Sequence, residues 1–393
     1  MRVLLFTGKG GVGKTTAAAA TAAQIARRGS KTLVLSCDPA HSLADALAVS
    51  LGPEPAEIDP GLFAMQVDTQ RRFELRWAEL QRYLADLFAR GGVDPLQAEE
   101  LTVLPGADEV LALLELRDQA ASGRWDALVV DCAPTAETLR LLALPEALSW
   151  YMERVFPTHR RVVRGLRLTR LGGAALPGDR VLDAFGALHE ELADVRGLLA
   201  EPATTSVRLV LTPESVVVAE SRRTLTSLAL YGYRVDSVLA NRVFPTGGAD
   251  PWLASWARVQ AAQLEQVRAS FAGIPLRTLT YRPGEPVGLP ALLEVAAELY
   301  GSDDPLGPPP DGELVTVRAD GDGFVLQVVL PLADRDDVAV ARSGDELVLT
   351  VGGHRRLLSL PSVLRRCTAG GARLVDGRLA VRFAPDPDRW PAS

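Results

Sequence analysis

Lysine is nearly missing from this chain. Of 42 basic residues only Lys9, Lys14 and Lys31 are lysines, and the rest are arginines. Cysteine is as scarce, with Cys37, Cys132 and Cys367 far apart and odd in number. They form no CxxC pair, which excludes a disulfide framework and a sequence-local zinc clasp, and makes a reducing cytoplasm the expected setting. The four histidines, His41, His159, His189 and His354, show no metal-ligand spacing. No apolar run reaches the roughly 18 residues that a membrane span needs. The start, MRVLLFTGKG, is apolar for four residues and then turns to glycine and lysine, so no secretion signal is expected. A basic excess is absent too: the net charge is −7, against a nucleic-acid protein whose affinity comes from a basic surface. Asparagine occurs once, at Asn241.

What remains is ordinary globular material, 47% apolar and 23% charged over 393 residues, enough for one large domain and one small one. Six apolar runs read as buried strands: VLLFT (3–7), TLVLSCD (32–38), ALVVDCAP (127–134), VRLVLTP (207–213), VDSVLANRVFP (235–245) and IPLRTLT (274–280). Helical sequence between them indicates βαβ units, hence an α/β fold with a mostly parallel sheet covered on both faces. Two stretches, about 69–121 and 145–200, keep a helical period without a strong strand and read as a helical subdomain. LYGSDDPLGPPPDGE (299–313) is rich in proline and glycine, and residues 301–313 are expected to be a linker. Beyond it come short β runs at close spacing, FVLQVVLPL, DVAVAR, ELVLTV, RRLLSLP and RLAVRFAP, the pattern of a small all-β sandwich. The expected organisation is therefore residues 1–300, linker 301–313, β domain 314–385 and a tail at 386–393.

Two of the three lysines fall in FTGKGGVGKTT (6–16). Gly8, four residues, then Gly13-Lys14-Thr15 is a P-loop, placed after a strand and before a helix. The glycines Gly8, Gly10, Gly11 and Gly13 let the backbone N–H groups of the loop, Val12 included, approach phosphate oxygens. Lys14 reaches the β/γ-phosphates, Thr15 offers a hydroxyl to Mg²⁺, and Thr16 follows at the helix start. The expected cofactors are ATP and Mg²⁺. Arginine's planar fork does not replace a compact ammonium in such a cradle, which explains a lysine surviving there. Asn241 follows the apolar run VDSVLA, and its amide carries one donor and one acceptor side by side, the pairing that adenine presents.

GKGGVGKTT is similar to the deviant P-loop of the MinD, ParA, nitrogenase iron-protein and ArsA group. SCDPAHSLADAL (36–47), PGADEVLALLEL (105–116), DCAPTAETLRLLALP (131–145) and LTPESVVVAESRRTLTSLALYGYRVDSVLANRVFP (211–245) resemble the ArsA family, including the tail-anchored-protein targeting ATPases, over roughly residues 1–300. DELVLTVGGHRRLLSLP and LVDGRLAVRF resemble the α-crystallin-like domain appended to some ArsA relatives. The resemblance implies ATP hydrolysis by a homodimer, with Lys9 crossing to the partner's nucleotide like an arginine finger. It implies that Asp38 orients the attacking water, that Asp131 holds Mg²⁺ through water, and that Pro39, His41, Pro134 and Glu137 lie in switch segments. It places the adenine-reading asparagine at Asn241.

The sequence departs from that pattern in three ways. Glycine-histidine after DTAPT is Ala136-Glu137 here, and Cys132 stands for the threonine, which bears on coupling between γ-phosphate and rearrangement. The zinc-binding CxxC of the targeting factors is missing, with Trp252 and Trp256 in roughly that region, so no zinc is expected. The three cysteines read as small buried hydrophobes. RRFELRWAELQRYLADLF (71–88) and the arginine-rich VFPTHRRVVRGLRLTRL (155–171) are helical candidates for a partner surface, the latter toward an acidic partner or a membrane. The expected function is a Mg²⁺-dependent ATPase whose cycle handles a client protein or a membrane partner. The alternatives are the energising subunit of an anion exporter and a MinD- or ParA-like positioning ATPase. The proline-rich ending APDPDRWPAS and the net charge disfavour the last.

Overall fold

The computed structural model describes residues 1–37, 42–67, 107–133, 135, 190–245, 250–307 and 312–390. Most of the expected helical subdomain lies outside these residues. Its described parts are α3 (Ala107–Ala121) and a helical stretch at 190–200 (α4), whose Leu192, Val195 and Leu199 are buried.

An eight-stranded sheet forms the large domain, in the order β3-β4-β2-β5-β1-β6-β7-β8. Its strands are β1 (Arg2–Thr7), β2 (Thr32–Ser36), β3 (Ala56–Asp59), β4 (Leu62–Gln66), β5 (Ala127–Asp131), β6 (Thr205–Leu211), β7 (Val235–Val243) and β8 (Leu276–Thr280). All neighbours pair in parallel except β3 against β4. The central strands β2, β5 and β6 are buried along their whole length, which is why they read as unbroken apolar runs. β3 and β4 were not expected from the sequence. AEID is short, polar and partly exposed, and it extends the sheet as an antiparallel edge whose stability comes from pairing with β4.

From β1 the chain crosses through α1 (Lys14–Arg27) to β2 on one side; from β6 it crosses through α5 (Ser215–Tyr231) to β7 on the other. Right-handed crossovers in opposite directions put α1 and α5 on opposite faces. The strand order therefore reverses at β1/β6, and the crevice beyond the C-terminal strand ends at such a point is where α/β sheets bind ligands. α1 is alanine-rich, with strong helix propensity, and residues Ala17, Ala18, Ala19, Ala20, Ala22 and Ala23 are buried between the sheet and α7 (Leu289–Tyr300). The remaining large-domain helices are α2 (Ser42–Leu47) and α6 (Pro251–Ser270).

A buried polar knot ties these layers. Arg208 on β6 makes a two-point pair with Asp236 on β7, Nε–Oδ1 3.2 Å and Nη2–Oδ2 3.4 Å. Its Nη1 donates to the Tyr300 hydroxyl at 2.8 Å, and its Nη2 donates to the Pro305 carbonyl. Tyr300 in turn sits 2.7 Å from the Thr21 hydroxyl of α1. Burial works against the Arg208 charge, but Tyr300 and Asp236 outweigh it and raise its proton affinity.

The second body has two antiparallel sheets, β14-β15-β10-β9 and β11-β12-β13. The strands are β9 (Val315–Asp320), β10 (Gly323–Val329), β11 (Val338–Ser343), β12 (Glu346–Val351), β13 (His354–Ser359), β14 (Cys367–Val375) and β15 (Arg378–Pro385), with a one-turn helix α8 (Ser362–Arg365) before β14. Leu326, Val328, Leu347, Leu349, Val381 and Phe383 fill the space between the sheets. Trp390, beyond the last strand, packs on Phe324 with ring centroids 5.8 Å apart.

The two bodies are joined by more than the linker. Leu230, near the end of α5, is fully buried and belongs to the β-sandwich core. Thr226 donates to the Pro331 carbonyl at 2.6 Å, Arg356 donates to the Leu230 carbonyl, and Tyr231 meets His354 edge-on at 6.2 Å. One helix thus serves two cores.

Candidate nucleotide site

The loop 8–13 leaves β1 and enters α1 under tight backbone constraint. Gly8 has φ +154°, and a Cβ there would lie 2.1 Å from the Val210 carbonyl oxygen of β6. Gly13 caps α1 in the left-handed region at φ +95°, where a Cβ would meet the Asn241 amide nitrogen at 2.3 Å. Neither position accepts a side chain, so these two glycines are required by conformation and by space together.

The two loop lysines are placed differently. Lys14, on the first turn of α1, is buried, and its ammonium donates to the Lys9 carbonyl at 3.4 Å. The Lys9 side chain is 40% exposed and points away to Glu220 of α5, with Nζ–Oε2 3.9 Å. Beside Lys14, the Thr15 hydroxyl donates to Asp131 Oδ2 at 2.8 Å and lies 3.0 Å from the Ser42 hydroxyl. Ser36 donates to the same carboxylate oxygen at 3.5 Å. Asp131 is fully buried at the end of β5, and the surrounding donors are all oxygen-bearing. Hard oxygen donors of this kind suit Mg²⁺.

Asn241 closes the loop from β7. Its Nδ2 donates to the Val12 carbonyl at 2.8 Å, and its Oδ1 accepts from the Arg242 N–H at 2.8 Å. Arg242 has φ +57°, a left-handed turn that this bond supports. An amide has a second hydrogen and a second lone pair, so holding the loop leaves one donor and one acceptor for a base edge.

Lys9, Lys14, Thr15, Asp131 and Asn241 therefore converge at one end of the sheet, with Gly10, Gly11 and Thr16 on the same loop and helix start. Asp38, Pro39, His41, Pro134 and Glu137 lie outside the described residues. So do Ala136 and the segments 71–88 and 155–171. Trp252 and Trp256 stand on α6, 65% and 51% exposed, 5.8 Å apart between ring centroids. Ser36, Ser42 and Glu220 join the site without having been singled out. The two serines flank the DPAH segment at a strand end, a readable position for hydroxyls near phosphate; Glu220 had no signal beyond its place in ESRR.

Cys37 and Cys132 also end here. The Cys37 N–H donates to the Asp131 carbonyl at 2.9 Å, one step beyond the Ser36–Asp131 pair of β2 and β5. Burial, then Cys37, then Asp131 push the Cys132 thiol well above its ordinary value, with Lys14 acting the other way.

Residues 1–301 match the family model described as an anion-transporting ATPase, and residues 321–383 match the HSP20-like domain found in ArsA. The chain belongs to the ArsA ATPase family. Its reaction is ATP hydrolysis, and the α-crystallin-like sandwich is the HSP20-like module of this family. It is 37% identical over 388 residues to a protein of Chlorobaculum tepidum that carries the provisional name of arsenical pump-driving ATPase, covering 98% of this chain and 96% of that one. A protein of Aquifex aeolicus with the same provisional name is 33% identical over 401 residues, covering 97% and 99%. A protein of Streptomyces coelicolor with no assigned function is 41% identical over 396 residues, covering 100% and 99%. No described helix is long and apolar enough to cross a membrane.

Proposed function

We propose that this ArsA-family chain is a Mg²⁺-dependent, cytoplasmic ATPase that acts as a homodimer, and that its cycle handles a client protein or a membrane partner. The observation that carries the reading is the division of labour between the two loop lysines. Lys14 is buried beside the loop of its own chain, while Lys9 is half-exposed and turned away from it, with its ammonium 3.9 Å from Glu220 of α5. In this reading the loop N–H groups and Lys14 bind the β/γ-phosphates, and Asn241 holds the loop and reads adenine. Thr15 and Asp131, the latter through water, would hold Mg²⁺, which supplies charge neutralisation at the phosphates when bound. Asp38 orients the attacking water, and Lys9 stabilises charge on the nucleotide of the other subunit.

The test is subunit mixing. Lys14→Ala loses affinity, and Lys9→Ala keeps affinity but loses turnover by a factor on the order of 10³ or more. A mixed dimer rebuilds one complete site, because the Lys9→Ala chain keeps Lys14 and receives Lys9 from its partner. Recovery of ATPase above either parent supports action in trans; no recovery with heterodimers demonstrated removes it.

A second reading follows from the names of the Chlorobaculum tepidum and Aquifex aeolicus relatives, which assign them the driving of an arsenical pump. Stimulation of the ATPase by arsenite or antimonite would favour it over client handling.

A further inference from the structure

Two of the three cysteines in 393 residues form one cross-strand pair, at the C-terminal ends of β2 and β5. In a parallel ladder an N–H bonds to the residue before its opposite number, so the Cys37 N–H on the Asp131 carbonyl makes Cys37 and Cys132 register partners. Register partners project to the same face, and neighbouring strands lie about 4.8 Å apart, within the Cα separation that a disulfide spans. Cys132 is 4% exposed, while Cys37 is half-buried and reaches solvent. The third thiol, Cys367, is buried in the β sandwich, in the other body.

We propose that Cys37 and Cys132 are an oxidisable dithiol that closes to a disulfide under peroxide and holds ATP hydrolysis off until it is reduced. Hydrogen peroxide oxidises the accessible Cys37 thiol to a sulfenic acid, and one water leaves. The Cys132 sulfur attacks the Cys37 sulfur, the S–S bond forms, the S–O bond breaks, and hydroxide leaves with the Cys132 proton as a second water. The two electrons lost by the sulfurs are those gained by the peroxide. The bond pins the residue before Asp38 to the residue after Asp131. The effect on turnover rests on the proposed roles of those two aspartates; the bond itself does not. Misplacement of reacting groups by about 1 Å costs on the order of 100-fold in rate, so a loss of roughly 10- to 100-fold is expected.

The experiment treats the full-length protein with hydrogen peroxide. It reads thiol content after denaturation, disulfide-linked peptides by mass spectrometry, and ATPase before and after dithiothreitol. The expected result is a fall from three thiols per chain to one, a single 37–132 linked peptide, and loss of turnover that reductant restores. In Cys37→Ser and in Cys132→Ser turnover is expected to be the same before and after the treatment, whereas Cys367→Ser stays sensitive. Peptide mapping of the wild-type chain does not depend on how the variants fold. A linkage involving Cys367, oxidation that stops at Cys37, or a 37–132 bond with unchanged turnover each overturns the proposal. The last of these, with Asp38→Asn still inactive, would show that the switch roles stand while the disulfide does not reach them.

Discussion

Replacing Asn241 by alanine separates two things that one amide does. Its bond to the Val12 carbonyl holds the P-loop whatever the base. A half-buried neutral hydrogen bond contributes about 1 kcal/mol, so its loss should weaken every nucleotide by roughly fivefold. In the proposed role the second hydrogen and lone pair would meet adenine's donor–acceptor edge; with the amide fixed by its Val12 and Arg242 bonds, guanine in the same pose would set an acceptor against the amide oxygen and a donor against the amide nitrogen, and such a bidentate contact contributes about 1–3 kcal/mol. The variant should therefore lose about 2–4 kcal/mol for ADP and about 1 kcal/mol for GDP. Using diphosphates in titration calorimetry keeps hydrolysis out of the measurement. The common loss measures the loop clasp, and the excess for ADP measures base reading. Equal losses for the two nucleotides would refute base reading. Unchanged GDP affinity would refute the clasp.

The Lys9–Glu220 pair is long and half-exposed, at 3.9 Å, so it is expected to hold Lys9 with no more than about 1 kcal/mol. Glu220→Gln should raise basal ATPase by at most about fivefold at low salt, with the gap closing as salt is added; abolished turnover would instead give Glu220 a part in the chemistry. Asp236→Ala strands the buried Arg208 charge and is expected to cost about 3–5 kcal/mol, a fall in Tm of roughly 4–8 °C by calorimetry. A loss under about 1 kcal/mol would show that water reaches Arg208. Arg356→Ala uncaps the Leu230 carbonyl between the two bodies at a cost of about 1–3 kcal/mol. Faster amide exchange in the last turn of α5 should reveal it, and unchanged exchange would mean that Leu230 and Thr226 hold the sandwich alone.

The sequence by itself determined the P-loop, because its glycines encode backbone conformation locally. Gly13 in the left-handed region before a helix is a property of neighbouring residues. It determined six strands of the large sheet, the five inner ones because a strand covered on both faces must be apolar throughout, whereas the sixth, expected to be buried, is the edge strand β8 and is only partly covered; and it marked Lys14, Asp131 and Asn241 by type and position. Only the tertiary structure decided the rest. AEID has no pattern of its own and became β3 because β4 offered it an edge. Val12 and Asn241 are 229 residues apart, and their bond exists because β7 lies beside β6 and β6 beside β1. Leu230 belongs to a helix of one body and the core of the other, and no helical period distinguishes two apolar faces by destination. Cys37 and Cys132 read as small buried hydrophobes at two strand ends; only strand order, by putting β2 against β5, made them neighbours, with Cys37 half-buried. Local conformation is written in adjacent residues, whereas neighbours across a sheet are set by chain crossings, where the free energy comes from burial shared by the whole core and not from any short stretch.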